Sequence, residues 1–474
     1  MMQPRAANLS EIGCVLPEKV PNSSSDGVDS EDASDPRLSV DPLTHLAFAR
    51  LTQARGDKRA AEAHARAARI LQERDNCYAP HAALGLYNIA TECLIAGDLS
   101  AASAWYRLTL SIDPTLVIAH QNLAAVWQRL GRSRDATIHR ELAYRRQRVF
   151  LEPSAAANHR TLLLCTGTEG NTPFEALFPA YRCHRVKYFL DYAEPDEDLK
   201  LPEYDLVFNA IGEPDVALAL GERLATFARH CSKPILNPPE IVSRATRDRL
   251  PTLLEGLPGV VVAPCLRFDR PLGSPEELSR QIAAAGIIFP TITRPVGTHG
   301  GEGIVRHESL GELDQYLQAK DTPQYVSSIL DARSRDGYYR KYRMVYVDRV
   351  PYPYHLAISP HWIAHYFSAQ MQEHAWKLEE ERLFLANPEA SLGASALQAI
   401  EAIGRRLDLD FGGVDFTVLE DGRVAVFEGN AAMLIHLEVP EGALGHKNGP
   451  VRRIVSAFDD LQAKVLGRPS PSQA

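Results

Sequence analysis

The chain lacks any run of ~18 consecutive apolar residues and has no basic-then-apolar stretch at its N-terminus, so neither a membrane-spanning helix nor an export signal is expected. Its seven cysteines include no CxxC pair, which argues against a disulfide framework and a cysteine zinc site and favours a reducing, cytoplasmic compartment. There is no excess of positive charge. Lysine and arginine total 51 against 60 aspartates and glutamates, a net charge of -9, so neither nucleic acid nor a membrane is expected as a partner. The 474 residues are 45% hydrophobic and 23% charged, enough to bury a core and too long for one ordinary domain.

Residues 22–36 are rich in serine and acid (Asp26, Asp29, Glu31, Asp32, Asp35) with little to pack, and residues 1–40 are read as a disordered arm. Glycine and proline are scarce over residues 41–152. Apolar residues recur there at helical spacing, as in Leu84, Tyr87, Leu94 and Trp105, Leu108, Ile112. Gly97-Asp98, Ala102, Tyr106 and Pro114 fall where a 34-residue tetratricopeptide unit places its turn, small packing residue, aromatic and closing proline. Gly131 and Ala136 lie one such period further on, and Gly56-Asp57 with Ala61 open an earlier unit. The block resembles tetratricopeptide repeats, which implies a concave helical surface for a peptide or protein partner. A helical lid or dimerisation arm is the alternative.

From Arg160 strands and helices alternate. Residues 161–165, 204–210 and 234–237 read as strands and 216–230 as a helix, an open α/β module. The loop Thr166-Gly-Thr-Glu-Gly-Asn171 follows the first strand, but one glycine-bearing loop is weak evidence for a ligand.

The chemistry-bearing residues lie further on. Two β-rich runs, Phe411-Gly-Gly-Val-Asp415-Phe-Thr-Val and Val424-Ala-Val-Phe-Glu428-Gly-Asn430, flank Glu420-Asp421-Gly422-Arg423. Asp-Gly there signals a two-residue hairpin turn, which would pair Glu420 with Arg423 and set Asp415 directly opposite Glu428, with Asn430 on the same face. Opposed residues have Cβ atoms ~4.5–5.5 Å apart and Mg²⁺ takes oxygen ligands at ~2.0–2.1 Å, so these side chains can share one or two ions. Two like charges face to face would otherwise repel, and that is the reason to expect a metal. Upstream, Ile287-Ile-Phe-Pro-Thr-Ile-Thr-Arg294-Pro-Val-Gly297-Thr-His-Gly300-Gly301-Glu-Gly303-Ile-Val reads as strand, glycine-rich loop and strand. Its glycines leave N–H groups free to approach phosphate, and Arg294 adds a charge-assisted contact. With no Gly-Lys-Ser/Thr ending, and a strand following, it is not a P-loop.

In these motifs residues 155–467 resemble the ATP-grasp superfamily, most of all glutathione synthetase and the glutamate-adding ligases. Together with the helical block, the resemblance implies a multidomain chain: an all-α helical-repeat domain (41–152), an α/β pre-ATP-grasp domain (155–240), an α+β ATP-grasp domain (241–467) and a tail (468–474). It implies a ligase that activates a small-molecule or peptide carboxylate as an acyl-phosphate and joins it to an amine, releasing ADP and phosphate. The cofactors would be ATP and Mg²⁺, two ions, with Mn²⁺ able to substitute.

By the same resemblance Asp415, Glu428 and Asn430 match the metal triad, and Arg294 with Gly297, Gly300, Gly301 and Gly303 the loop that folds over ATP. Arg249, in Arg247-Asp248-Arg249, stands for the second cationic ATP contact. Gln324 and Val326 align with the adenine contact. Arg343, in Lys341-Tyr-Arg343-Met-Val-Tyr, is matched to the acyl-phosphate or substrate carboxylate. The chain departs from the family in having arginine where lysine is usual, in Gly413 two residues before the triad aspartate, and in lacking Ser-Pro-Gly after Asn430. Glu302, inside the loop, is expected to point outward. His361 and His365 read as an ordinary packed or solvated pair, since no third ligand is near. The alternatives are a nucleotide-binding interaction protein working through its helical repeats and an ATP-grasp phosphotransferase; a homo-oligomer is compatible with either.

Overall fold

The computed structural model describes residues 35–73, 79–270, 273–298, 301–366 and 368–469; most of the arm, the last residues of the tail and Gly300 lie outside them. No helix among the described residues is long and apolar enough to cross a membrane. The chain forms two compact units, Met1–Arg148 and Val149–Ala474.

The described residues of the first unit form three helix pairs: α1 (Pro42–Ala54) with α2 (Lys58–Glu73), α3 (Ala79–Ile95) with α4 (Leu99–Ile112), and α5 (Val117–Arg129) with α6 (Ser133–Tyr144). Asp41 caps α1 by accepting from the N–H groups of Leu43 and Thr44, and Asp98 caps α4 through Ala101. Each pair turns at a glycine with positive φ (Gly56, Gly97, Gly131) and buries one alanine five residues later (Ala61, Ala102, Ala136). The small side chain lets the paired helices approach closely. Leu86, Tyr87, Trp105, Tyr106, Leu123 and Trp127 fill the core.

The first and third pairs share a device that sequence reading missed. His45 Nδ1 lies 2.9 Å from His64 Nδ1, and His120 Nδ1 lies 2.7 Å from His139 Nδ1, both across 19 residues. The Nε2 atoms of His45 and His120 meet the carbonyls of Ser39 and Pro114. A carbonyl only accepts, so those Nε2 atoms carry the proton, and each Nδ1 of His45 and His120 accepts from its partner's Nδ1–H. Burial, and then the partner imidazole, pulls His64 and His139 down to about 4. Because these values lie below 6.5, the unfolded chain takes up protons first on acidification; the stabilisation is complete above about 6.5 and is lost as the pH falls toward about 4. Protection of the amides in α1, α2, α5 and α6, taken as exchange relative to its intrinsic rate at each pH, is therefore expected to fall as the pH is lowered across that window, and less so in the double variant His64→Gln, His139→Gln. Protection factors that stay constant with pH would exclude a destabilisation by the histidine pairs.

Among its described residues the second unit contains three sheets. The first holds β1 (Val149–Glu152), β2 (Arg160–Cys165), β3 (His184–Phe189), β4 (Leu206–Asn209) and β5 (Ile235–Leu236) in the order β1-β3-β2-β4-β5. Residues 149–152, read above as the end of the helical block, are instead an edge strand antiparallel to β3. They leave the helix because Glu152 serves the sheet, pairing with Arg185 Nε (2.6 Å) and Lys187 Nζ (2.6 Å). The same pairing hid β3 from sequence reading, since its buried Arg185 and Lys187 look like surface residues. The helix read at 216–230 is two, α7 (Pro214–Ala219) and α8 (Gly221–His230); the short α9 (Pro239–Val242) and α10 (Leu250–Leu253) follow.

Then β6 (Val260–Val262) leaves for the third sheet, while β7 (Cys265–Phe268), β8 (Thr291–Pro295), β9 (Val305–His307) and β10 (Gln324–Ser328) form the second, in the antiparallel order β7-β10-β8-β9. Helices α11 (Pro275–Ala284) and α12 (Leu310–Gln318) cover one of its faces, packing Leu278, Ile282, Leu313 and Leu317 on Phe268 and Val326. The other face carries a cross-strand row, Arg267, Tyr325 and Arg294. The Asp215 carboxylate of α7 accepts from Tyr325 Oη at 2.6 Å and pairs with Arg267 at 2.5 Å, tying the first sheet's module to this face.

The third sheet has the order β12-β11-β13-β14-β6, with β11 (Tyr339–Val347), β12 (Val350–Ser359), β13 (Phe411–Val418) and β14 (Val424–Asn430). Helices α13 (Ala375–Ala386), α14 (Pro388–Leu392), α15 (Ala394–Leu407) and α16 (Asn448–Val465) accompany it. The β13–β14 turn is not the two-residue turn expected. Leu419 and Arg423 close it, Gly422 takes positive φ, and Val418 faces Val424, a three-residue loop that moves the register by one. A β-bulge at Phe427 moves it back, so Asp415 does face Glu428 and Gly413 faces Asn430. Without the bulge Glu428 would point to the opposite face of the sheet.

Candidate active site

The register places one row of side chains across four strands: His355 on β12 opposite Arg343 on β11, Arg343 opposite Asp415 on β13, and Asp415 opposite Glu428 on β14. Adjacent strands lie ~4.8 Å apart, so the row is about 14 Å long. Bulges flank it on both outer strands, next to Arg343/Met344 and Asp415/Phe416. Such bulges re-aim side chains beside functional sites.

The row is heavily charged. Arg343 grips Asp415 with both ends of its fork, Nε to Oδ1 at 2.5 Å and Nη2 to Oδ2 at 2.9 Å, and Lys341 Nζ adds a contact to Oδ2 at 3.0 Å. Asp415 is only 3% exposed. Burial opposes its ionisation, but Arg343 and Lys341 outweigh burial and hold the carboxyl well below the usual carboxylate range. Glu428 Oε2 pairs with Arg247 at 2.7 Å, and its Oε1 accepts from Asn430 Nδ2 at 2.5 Å. Asn430 Oδ1 in turn accepts from the Ala432 N–H at 2.9 Å. The two facing acids therefore do not need a metal to offset their repulsion, contrary to what their opposition in the hairpin suggests, because the protein's own cations neutralise both.

Arg294 comes from the open face of the second sheet, 3.9 Å from Glu428 Oε2. Burial, then the neighbouring Arg247, pulls its guanidinium down to about 10, which still leaves it charged at neutral pH. His355 is buried and held well below its ordinary value by burial, then by Arg343 and Lys447, so it is neutral.

The other predicted positions divide. Arg249 is exposed at the start of α10, where its backbone N–H bonds to Thr246 O, and the structure brings Arg247 into the cluster in its place. Gln324 and Val326 point to the helix-covered face, where Val326 is core and Gln324 Nε2 donates to Thr322. Only their backbone could meet a ligand on the open face, and the side chain there is Tyr325. In the glycine loop, Gly297, Gly301 and Gly303 all have positive φ. A Cβ at Gly303 would meet Pro295 at 2.9 Å, so the loop backbone folds tightly on β8. Glu302 is exposed, as expected, and Gly300 lies outside the described residues. Sequence reading missed Lys341, Arg247 and His355 as site residues. The signal for Lys341 was its spacing, two before Arg343 on one strand, whereas nothing in the sequence separates Arg247 from Arg249.

No family model and no curated protein matches the chain. The chain is similar to solved ATP-grasp ligases. Among them are the ligase PsnB complexed with a phosphomimetic variant of its minimal precursor, Mg and ADP (13% identity, 64% of this chain and 99% of that one, TM-score 0.35) and the VanG D-Ala:D-Ser ligase of Enterococcus faecalis (13%, 64% and 99%, TM-score 0.39). Another is D-alanyl-alanine synthetase A of Vibrio cholerae (12%, 65% and 99%, TM-score 0.41).

Proposed function

We propose that the chain is an ATP-dependent carboxylate–amine ligase that activates its carboxylate as an acyl-phosphate and releases ADP and phosphate. The observation that carries this reading is the charged cluster itself. Arg294 from one sheet, Arg247 from the segment before α10, and the row Arg343–Asp415–Glu428 with Lys341 from another sheet converge on Glu428 and Asp415. Four cations around two acids suit a polyphosphate and an acyl-phosphate, both anionic, and arginine forks match phosphate oxygens two at a time.

The donor chemistry of Asp415, Glu428 and Asn430, two carboxylates and an amide on one sheet face, fits Mg²⁺, which prefers oxygen. Bound there, the ion would neutralise charge on the transferring phosphoryl group. The chain's own residues do the rest. Arg294 and Arg247 bind and orient the phosphates, and Arg343 meets the acyl-phosphate once phosphate has replaced Asp415 as its partner. The glycine loop closes over the nucleotide and keeps water from the reactive intermediate. No protein nucleophile is needed. The helical unit, read as tetratricopeptide-type, would present the carboxylate or amine partner as a peptide or protein surface.

The test is to incubate the chain with ATP, Mg²⁺, hydroxylamine and a panel of amino acids and dicarboxylates. A hydroxamate together with ADP is expected. AMP with pyrophosphate would mean adenylation and refute the acyl-phosphate route, while a stable phosphorylated product would favour a phosphotransferase.

A further inference from the structure

All three metal-type side chains are already engaged by the protein. Asp415 takes three contacts from Arg343 and Lys341, Glu428 takes Arg247 on one oxygen and the Asn430 amide N–H on the other, and Asn430 Oδ1 takes the Ala432 N–H. Around the two acids stand four cations, Arg247, Arg294, Lys341 and Arg343. A third acid, Glu213, also acts on Arg247 and Arg294, and with it these three acids are still outnumbered by the four cations. His355, at the end of the row, is neutral and adds no negative charge. A bare dication approaching this cluster meets net positive charge and ligands that it must strip from cations. A polyphosphate meets the opposite: Arg247 and Arg294, crowded together, gain a shared anionic partner.

We infer that the metal site of this chain is latched shut by its own cations and is opened by polyphosphate, so that a divalent ion binds only with or after the nucleotide's phosphates. The inference rests on the ligase reading for the identity of the site and goes beyond it in assigning an order. Arg343 with Lys341 latches Asp415, and Arg247 latches Glu428. The phosphates draw Arg247 and Arg294 away from Glu428, and the phosphoryl group to be transferred offers Arg343 and Lys341 an alternative to Asp415. The freed carboxylate oxygens then face the ion, while Asn430 keeps Glu428 in place. A consequence is that phosphate binding itself needs no metal.

The full-length chain tests this with Mn²⁺ as the probe, followed by its free-ion spin-resonance signal, and with ATP and inorganic tripolyphosphate as the anions. Mn²⁺ alone is expected to remain free, tripolyphosphate to bind in the presence of a chelator, and the protein's affinity for Mn²⁺, counted beyond the ion that the same ATP takes up without protein, to rise about tenfold or more once ATP is present. Glu428→Gln should abolish that rise. Arg247→Met, which frees Glu428 Oε2, should let Mn²⁺ bind without any anion, alone or with Lys341→Met; the single variant serves if the double variant melts early. If the unaltered chain binds Mn²⁺ equally well with and without ATP, and loses it in Glu428→Gln, the latch is overturned and the ligase reading stands. If neither ATP nor tripolyphosphate binds with or without Mn²⁺, the ligase reading itself falls, and the latch with it.

Discussion

Glu428→Gln is expected to lower ATP-dependent coupling by about 10²-fold or more while leaving the melting temperature nearly unchanged. Glutamine keeps the shape and can still accept from Asn430 Nδ2, but it removes the charge that an ion and the transferring phosphate would need. Folding tolerates the change because the acid it replaces faces another acid, Asp415, across the strand pair, and because Arg247 keeps Glu213 nearby. Asp415→Asn is the contrasting variant. Asp415 is almost fully buried and is the acid gripped by both Arg343 and Lys341, so its loss leaves two cations uncompensated and should reduce stability as well as activity. Product formation and thermal melts on the two variants separate the effects. Near-normal coupling in Glu428→Gln would mean that the row is only structural.

Arg294→Ala should weaken ATP binding by about 1.5–3 kcal/mol, the range for a hydrogen bond to a charged group, and Arg294→Lys should restore part of it. Arg294 is only slightly exposed, and burial, then the neighbouring Arg247, pulls its guanidinium down to about 10, so an incoming anion relieves a repulsion in addition to making new contacts. Arg247→Ala should have a comparable effect on ATP. Arg249→Ala should have none, because that side chain stands in solvent at the start of α10. Equilibrium dialysis with ATP on the three alanine variants checks the assignment, and loss of affinity in Arg249→Ala alone would return the site to the position first read.

Much of the site was legible because its chemistry is local. The glycine-rich loop, the Asp415/Glu428/Asn430 spacing and the Arg343 strand each lie within a few consecutive residues, where side-chain alternation along a strand places them on one face. The pairing of Asp415 with Glu428 was reached by a count that went wrong twice in compensating directions. The turn has one residue more than Asp-Gly suggests, and Phe427 forms a bulge that returns the register. A bulge leaves no local composition signal that a single sequence reveals, since it is a response to the packing of the whole strand pair.

The sequence by itself therefore determined the helical character of residues 42–144, the glycine turns and buried alanines of the helix pairs there, and the identity of the charged residues available to the cluster. Those features follow from backbone preference and hydrophobic period, both set by near neighbours along the chain. Only the tertiary structure decided which charges meet. Arg247 rather than Arg249, Lys341 on Asp415, Glu152 with Arg185 and Lys187, and His45 with His64 are all pairs whose members come from separate elements. Burial turns each of these ordinary polar residues into a group that needs a partner, and burial is a property of the packed fold that spacing along one chain does not contain.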